Sequence, residues 1–153
     1  MKKIVADEGY RRTQGCMIVD DDPQMLALLN EIVESVGGCR TRCFASGDDA
    51  WRAFESATGK FALVLTDWNM PGLDGIELGQ RIHALAPDVK IVLVTANAFL
   101  LDAGDRLRMD FAGVLEKPVT IEALRGVIRL VTQDAGTGGP DLHFLNNLPI
   151  ACR

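Results

Sequence analysis

Short solid apolar runs alternate along this chain with stretches whose apolar residues return every three to four positions. Cys16-Met17-Ile18-Val19 is the first such run, and it ends abruptly in Asp20-Asp21-Asp22-Pro23. That break reads as a buried strand entering a functional loop. Met25, Leu28, Leu29, Ile32, Val33 and Val36 then recur at helical spacing until Gly37-Gly38. Pro23 suits the first helical position, and Asp22 suits the cap before it.

The pairing repeats along the chain. Cys39, Thr41 and Cys43 lead into Phe44 as a second strand, and Ser46 can cap a helix carrying Ala50, Trp51 and Phe54. Phe61 to Thr66 is a third strand, followed after Gly75 by a helix with Ile76, Gly79 and Ile82 on one face. Ile91-Val92-Leu93-Val94 is a fourth strand, and Ala98 to Arg108 is predicted helical. Gly113 to Glu116 is a short fifth strand, after which Thr120 can cap a helix with Ile121, Leu124, Val127, Ile128 and Val131 in period.

Five strands and five helices in alternation, with solidly apolar strands, predict an α/β fold: a doubly wound parallel sheet covered by helices on both faces. Such sheets bind ligands beyond the carboxyl ends of their strands, where strand order reverses. One domain is expected over residues 15–131. Residues 1–14 are polar and expected as a flexible N-terminal segment. From residue 132 the chain turns to Asp, Gly, Thr and Pro, so 132–153 is expected as a linker or tail.

Composition narrows the function. The 153 residues carry a net charge of −5, with no basic excess, so this domain is not expected to bind nucleic acid. No apolar run approaches the roughly 18 residues of a membrane span, so no membrane contact and a cytoplasmic location are expected. The four cysteines form no CxxC pair and the two histidines stand far from Cys39 and Cys43, which argues against zinc and against a redox pair. Cys16, Cys39 and Cys43 fall in or beside apolar runs and are expected to behave as small buried hydrophobes. His83 and His143 are expected at the surface without a role, Trp51 in the core, and Trp68 part-exposed.

The polar residues at the strand ends carry the chemistry. Asp20 and Asp21 follow strand one, Asp67 follows strand three, Thr95 ends strand four and Lys117 follows strand five, so all five gather at one edge of the sheet. Three carboxylates converging there repel one another, and a hard, oxygen-preferring divalent cation resolves the repulsion; Mg2+ fits, with Mn2+ as a substitute. Lys117 adds an ammonium and Thr95 a hydroxyl, a set able to hold the oxygens of a transferring phosphoryl group. Each residue has a blander reading taken alone. Asp20 and Asp21 could serve a helix cap and dipole, Asp67 a turn, Lys117 a plain surface and Thr95 a strand end. Their shared location favours the chemical reading.

Four strings now stand in order: Val19-Asp20-Asp21-Asp22-Pro23, Leu65-Thr66-Asp67-Trp68-Asn69-Met70-Pro71-Gly72-Leu73-Asp74-Gly75, Val94-Thr95-Ala96 and Glu116-Lys117-Pro118. Together they resemble the receiver domain of bacterial two-component response regulators, over roughly Gly15 to Val131. The resemblance implies a CheY-like, flavodoxin-like (βα)5 fold with strand order 2-1-3-4-5. It implies that Asp67 is the phosphoacceptor, that Asp20, Asp21, Asp67 and the backbone carbonyl of Asn69 hold Mg2+, that Thr95 turns toward the phosphoryl oxygen, that Lys117 pairs with Asp67, and that Pro118 follows a cis peptide. Asn69 and Asn97 stand where relatives tune attack by water.

The resemblance further implies a sensor histidine kinase or histidine phosphotransfer protein as phosphodonor, a downstream effector of unknown kind, and a phosphorylation-linked homodimer. The domain would be a switch and not a turnover enzyme, catalysing only formation and loss of its own aspartyl phosphate. One departure stands out: many relatives carry an aromatic residue three positions before the lysine, and here that switch position is Val114. Two rivals remain at this stage. A haloacid-dehalogenase-like phosphohydrolase shares the Asp, Lys and Mg2+ set, although the short loops leave little material for a substrate pocket. A degenerate receiver acting as a constitutive binding module is the other.

Overall fold

The computed structural model describes residues 15–36, 40–100 and 111–133. Strands β1 (Gly15–Val19), β2 (Thr41–Phe44), β3 (Phe61–Asp67), β4 (Lys90–Thr95) and β5 (Gly113–Glu116) form one parallel sheet in the order β2-β1-β3-β4-β5. Helices α1 (Pro23–Val36), α2 (Gly47–Ser56), α3 (Gly75–Leu85) and α4 (Ile121–Gln133) connect and follow them. The order reverses between β1 and β3, which places the switch point at the ends of those two strands.

The two-residue alternation of each strand separates two cores. Cys16, Ile18, Leu63, Leu65, Val92 and Val94 pack with Leu29, Ile32 and Val33 of α1 and Leu124, Val127 and Ile128 of α4. Met17, Val19, Val64 and Ile91 pack with Ala50 and Phe54 of α2 and Leu78 and Ile82 of α3 on the other face. Every residue of β1 is buried, so the continuous apolar run is the signature of a central strand covered on both sides.

The helix starts are held by side chains that accept the free amides of a first turn. Asp22 accepts from Gln24 N–H at 2.9 Å and Ser46 from Asp49 N–H at 3.1 Å. Asp74 accepts from Glu77 N–H at 2.8 Å, and Thr120 from Ala123 N–H at 3.1 Å. The caps at Asp22, Ser46 and Thr120 were legible in the sequence; the one at Asp74 was not drawn from it.

Several expectations change. Cys43 is exposed, not buried, because β2 is the sheet's edge strand with only β1 beside it. Its thiol donates to Asn30 Oδ1 at 3.7 Å, and partial desolvation beside α1 together with the charge of Glu34 pushes it above the ordinary thiol value. Trp51 is half-buried, stacked on Phe54 at 6.4 Å with the Arg81 guanidinium 5.8 Å from its ring. His83 is half-buried on α3 and not fully at the surface. Helix α4 continues to Gln133, two residues past the expected domain end. Of the helix expected over 98–108, a 3-10 turn at Ala98–Leu100 is described; residues 101–110, with Cys39, the N-terminal segment 1–14 and 134–153, lie outside the described residues.

Candidate functional site

The site is built by where strands stop. Asp67 is the last residue of β3 and Thr95 the last of β4, while Asp20 and Lys117 are the first residues beyond β1 and β5. The ladder continues past the strands through Asp20 N–H to the Phe44 carbonyl at 3.1 Å and Lys117 N–H to the Thr95 carbonyl at 2.9 Å. These bonds fix the backbones at the carboxyl edge before any side chain is considered.

The side chains converge as the sequence predicted. Asp20, Asp21 and Asp67 each offer a carboxylate oxygen, all within 4.8 Å of one another. Asp20 is fully buried, Asp67 is 8% exposed and Asp21 is open to solvent. Lys117 Nζ lies 2.9 Å from Asp20 Oδ2 and 3.4 Å from Asp67 Oδ1, so one ammonium bridges both buried acids. Asp20 Oδ1 also accepts from Asp22 N–H at 2.9 Å, and Asp67 Oδ1 from Trp68 N–H at 2.9 Å. Both of these Asp67 contacts, from the Trp68 amide and from Lys117, fall on Oδ1.

Burial pushes the Asp67 carboxyl above the ordinary aspartate value and the charge of Asp20 adds to it, against the opposing pull of Lys117 and the Trp68 amide. For Lys117, burial acts downward, but the hydrogen bond to Asp20 and the two acids' charges more than offset it, so its ammonium is held above the ordinary lysine value. The lysine is therefore fully charged at neutral pH. A pocket of hard oxygen donors in which three carboxylates face one ammonium, an excess of two negative charges, has the chemistry that suits Mg2+.

Thr95 is buried, and its hydroxyl accepts from Asn97 N–H at 3.2 Å. Asn69 is exposed two residues beyond Asp67. Val114 is half-buried and packs on Leu93, against which Trp68, Ile76 and Phe111 also pack. The Lys117–Pro118 peptide is cis.

Two supports were not read from the sequence. A Cβ on Gly75 would lie 1.9 Å from the Asp67 carbonyl oxygen, so only glycine lets α3 start this close to the end of β3. Thr66, fully buried, donates its hydroxyl to that same carbonyl at 3.0 Å. The sequence marked Gly75 only as a helix start and Thr66 only as strand, since nothing local says which backbone atom each will meet.

Fold and site together define a class: a doubly wound α/β domain with an acidic, cation-suited pocket and a bridging lysine at the carboxyl edge of its sheet. A family profile described as the response regulator receiver domain matches residues 16–129, and the chain belongs to that family. It is a two-component receiver domain, a signalling domain and not an ordinary enzyme. It is 34% identical over 118 residues to the sensor histidine kinase RcsC of Salmonella typhi, a match covering 76% of this chain and 12% of that protein. It is 29% identical over 118 residues to the chemotaxis protein CheY of Pseudomonas aeruginosa, covering 75% of this chain and 93% of that one. The chain thus spans a small part of RcsC and nearly all of CheY. The structure of the response regulator TrrA from Thermotoga maritima, in complex with Mg(2+)-BeF, superposes with a TM-score of 0.68 at 25% identity, covering 77% of this chain and 98% of that one. No described helix is long and apolar enough to cross a membrane.

Proposed function

We propose that this domain, over residues 15–131, accepts a phosphoryl group on Asp67 and reports it by a change of surface. The observation that carries the reading is the bridged acid cluster: two buried carboxylates and one exposed, within 4.8 Å, with Lys117 Nζ between Asp20 and Asp67. Structural acids seldom converge in this way at the end of apolar strands unless something binds there.

An Asp67 carboxylate oxygen attacks phosphorus; the bond from phosphorus to the donor breaks, and the donor leaves with that electron pair and takes a proton from water. A mixed carboxylic–phosphoric anhydride remains on Asp67, and attack by water on phosphorus later returns carboxylate and inorganic phosphate. Both steps are the domain's own autocatalysis and release no other product. Asp20, Asp21, Asp67 and the Asn69 carbonyl would hold Mg2+, or Mn2+ in its place, which neutralises charge on the phosphoryl oxygens. Lys117 stays within reach of Asp67 and supports a second phosphoryl oxygen. Thr95 gives up the Asn97 amide and donates its hydroxyl to a third. That rotation vacates space at the end of β4, next to Leu93 and Val114, which makes the β4–β5 edge the place where the surface responds.

The donor would be a phosphohistidine on a sensor histidine kinase or phosphotransfer protein, since its imidazole is a good leaving group. The output would be an effector bound by the altered surface, with a phosphorylation-linked homodimer as one form of it, in the cytoplasm and without contact to nucleic acid or membrane. Intact-mass spectrometry after incubation with Mg2+ and acetyl phosphate tests the reading. Wild type gains about 80 Da, one phosphoryl group, and loses it on standing, while Asp67→Ala gains nothing. An adduct on Asp67→Ala, or none on wild type, would overturn the assignment and favour a constitutive binding module.

A further inference from the structure

The β3–α3 loop carries Asn69, so whatever holds that loop still bears on the reaction. Its ends are tied locally: Trp68 N–H to Asp67 Oδ1 at 2.9 Å, Gly75 N–H to the Trp68 carbonyl at 2.9 Å, and Glu77 N–H to Asp74 at 2.8 Å. Its middle is tied from a distance. Leu73 N–H donates to Asp48 Oδ2 at 3.3 Å, across 25 residues of sequence.

The fit around that bond is close. The same Asp48 oxygen lies 2.6 Å from where a Cβ would stand on Gly72, whose φ of +75° already calls for glycine. A Cβ on Gly47 would meet the Leu73 carbonyl oxygen at 2.1 Å, so the first turn of α2 meets the loop backbone to backbone. Met70 and Leu73 are buried in the core cluster that also holds Ala50 and Phe54 of α2. The neighbouring Asp49 is engaged elsewhere: its amide donates to Ser46 and its carboxylate faces Arg52 at 3.5 Å.

We infer that Asp48 is a positioning residue for the phosphoryl-transfer site, acting through the Leu73 amide to hold the 69–73 backbone in the shape that presents the Asn69 carbonyl. The inference rests on the reading of Asn69 and the acid cluster as the cation's ligands. A ligand carbonyl on an untied loop must be ordered when the cation binds, and that ordering weakens binding. Asp48 does the ordering in advance. Its part is that of a hydrogen-bond acceptor, so an amide oxygen at position 48 serves as well.

Calorimetric Mg2+ titration of the whole chain, with intact-mass phosphorylation by acetyl phosphate in parallel, tests this on Asp48→Ala, Asp48→Asn and Asp49→Ala. Asp48→Ala is expected to bind Mg2+ about five- to tenfold more weakly, the worth of one hydrogen bond, and to take the phosphoryl group correspondingly more slowly. Asp48→Asn restores binding to within about twofold of wild type, and Asp49→Ala, which removes the same charge one residue away, leaves it unchanged. Wild-type affinity in Asp48→Ala overturns the inference. So does a loss in Asp48→Asn or Asp49→Ala as large as in Asp48→Ala, because charge and not the bond would then be responsible. A wild type that binds no Mg2+ and takes no phosphoryl group overturns instead the site reading beneath it.

Discussion

Replacing Lys117 by Met removes the ammonium that bridges Asp20 and Asp67 while keeping most of the side chain's apolar length. The two carboxylates are almost wholly out of water, with side-chain exposures of 1% and 11%. Their nearest oxygens lie no further than 4.8 Å apart. Two unit charges at that distance repel by about 3.5 kcal/mol at an effective dielectric constant of about 20. Some of this is relieved because Asp67, already held above the ordinary aspartate value, is easier to protonate once the ammonium is gone. The net loss of stability at neutral pH is therefore about 2–3 kcal/mol, at the low end for a buried pair stripped of one partner. Urea unfolding of wild type and Lys117→Met in the presence of a chelator measures it. Adding millimolar Mg2+ in place of the chelator should close most of the gap, since a bound cation neutralises the same acids and stabilises by mass action. Equal unfolding midpoints in chelator, or a gap untouched by Mg2+, would refute the view that Lys117 serves as the cluster's internal counter-charge.

Other outcomes follow from the same geometry. Asp67→Asn takes no phosphoryl group and melts a few degrees higher than wild type at neutral pH: the folded-state value of Asp67 is raised, so its contribution to stability is present below the ordinary carboxylate value and lost as pH rises through the folded one. The difference should shrink as the melts are repeated toward acid pH. Gly75→Ala drives a methyl to 1.9 Å from the Asp67 carbonyl oxygen and should cost about 2–3 kcal/mol, with slower phosphorylation measured by intact mass. Asp21→Ala, at an exposed position, should change stability by less than about 0.5 kcal/mol while weakening Mg2+ binding on the order of tenfold or more in calorimetry.

What the sequence made legible was whatever is periodic or terminal. Cys16 to Val19 could be read as a central strand because burial on both faces leaves no polar position, and Asp20, Asp67, Thr95 and Lys117 could be brought together because strand order alone puts their positions on one edge. The strings around them also carried the family. What stayed hidden depends on contacts between elements distant in sequence. Gly75 against the Asp67 carbonyl, Thr66 beneath it and Asp48 on the Leu73 amide have no local signal. Cys43 misled for the same reason: four residues of strand look alike whether the strand is central or at the edge, and only the sheet order distinguishes them. That Val114 and Trp68 both pack on Leu93 was equally hidden, since 46 residues of sequence separate them.

The Lys117–Asp20 bond spans 97 residues. In a chain made from its N-terminus, the acids at the ends of β1 and β3 are therefore synthesised long before the lysine that bridges them. Until β5 docks, Asp20 and Asp67 lack that ammonium. Completion of the last strand and completion of the acid–lysine cluster are one event, so a chain cut short before residue 113 loses the clasp that holds its first strand to its last.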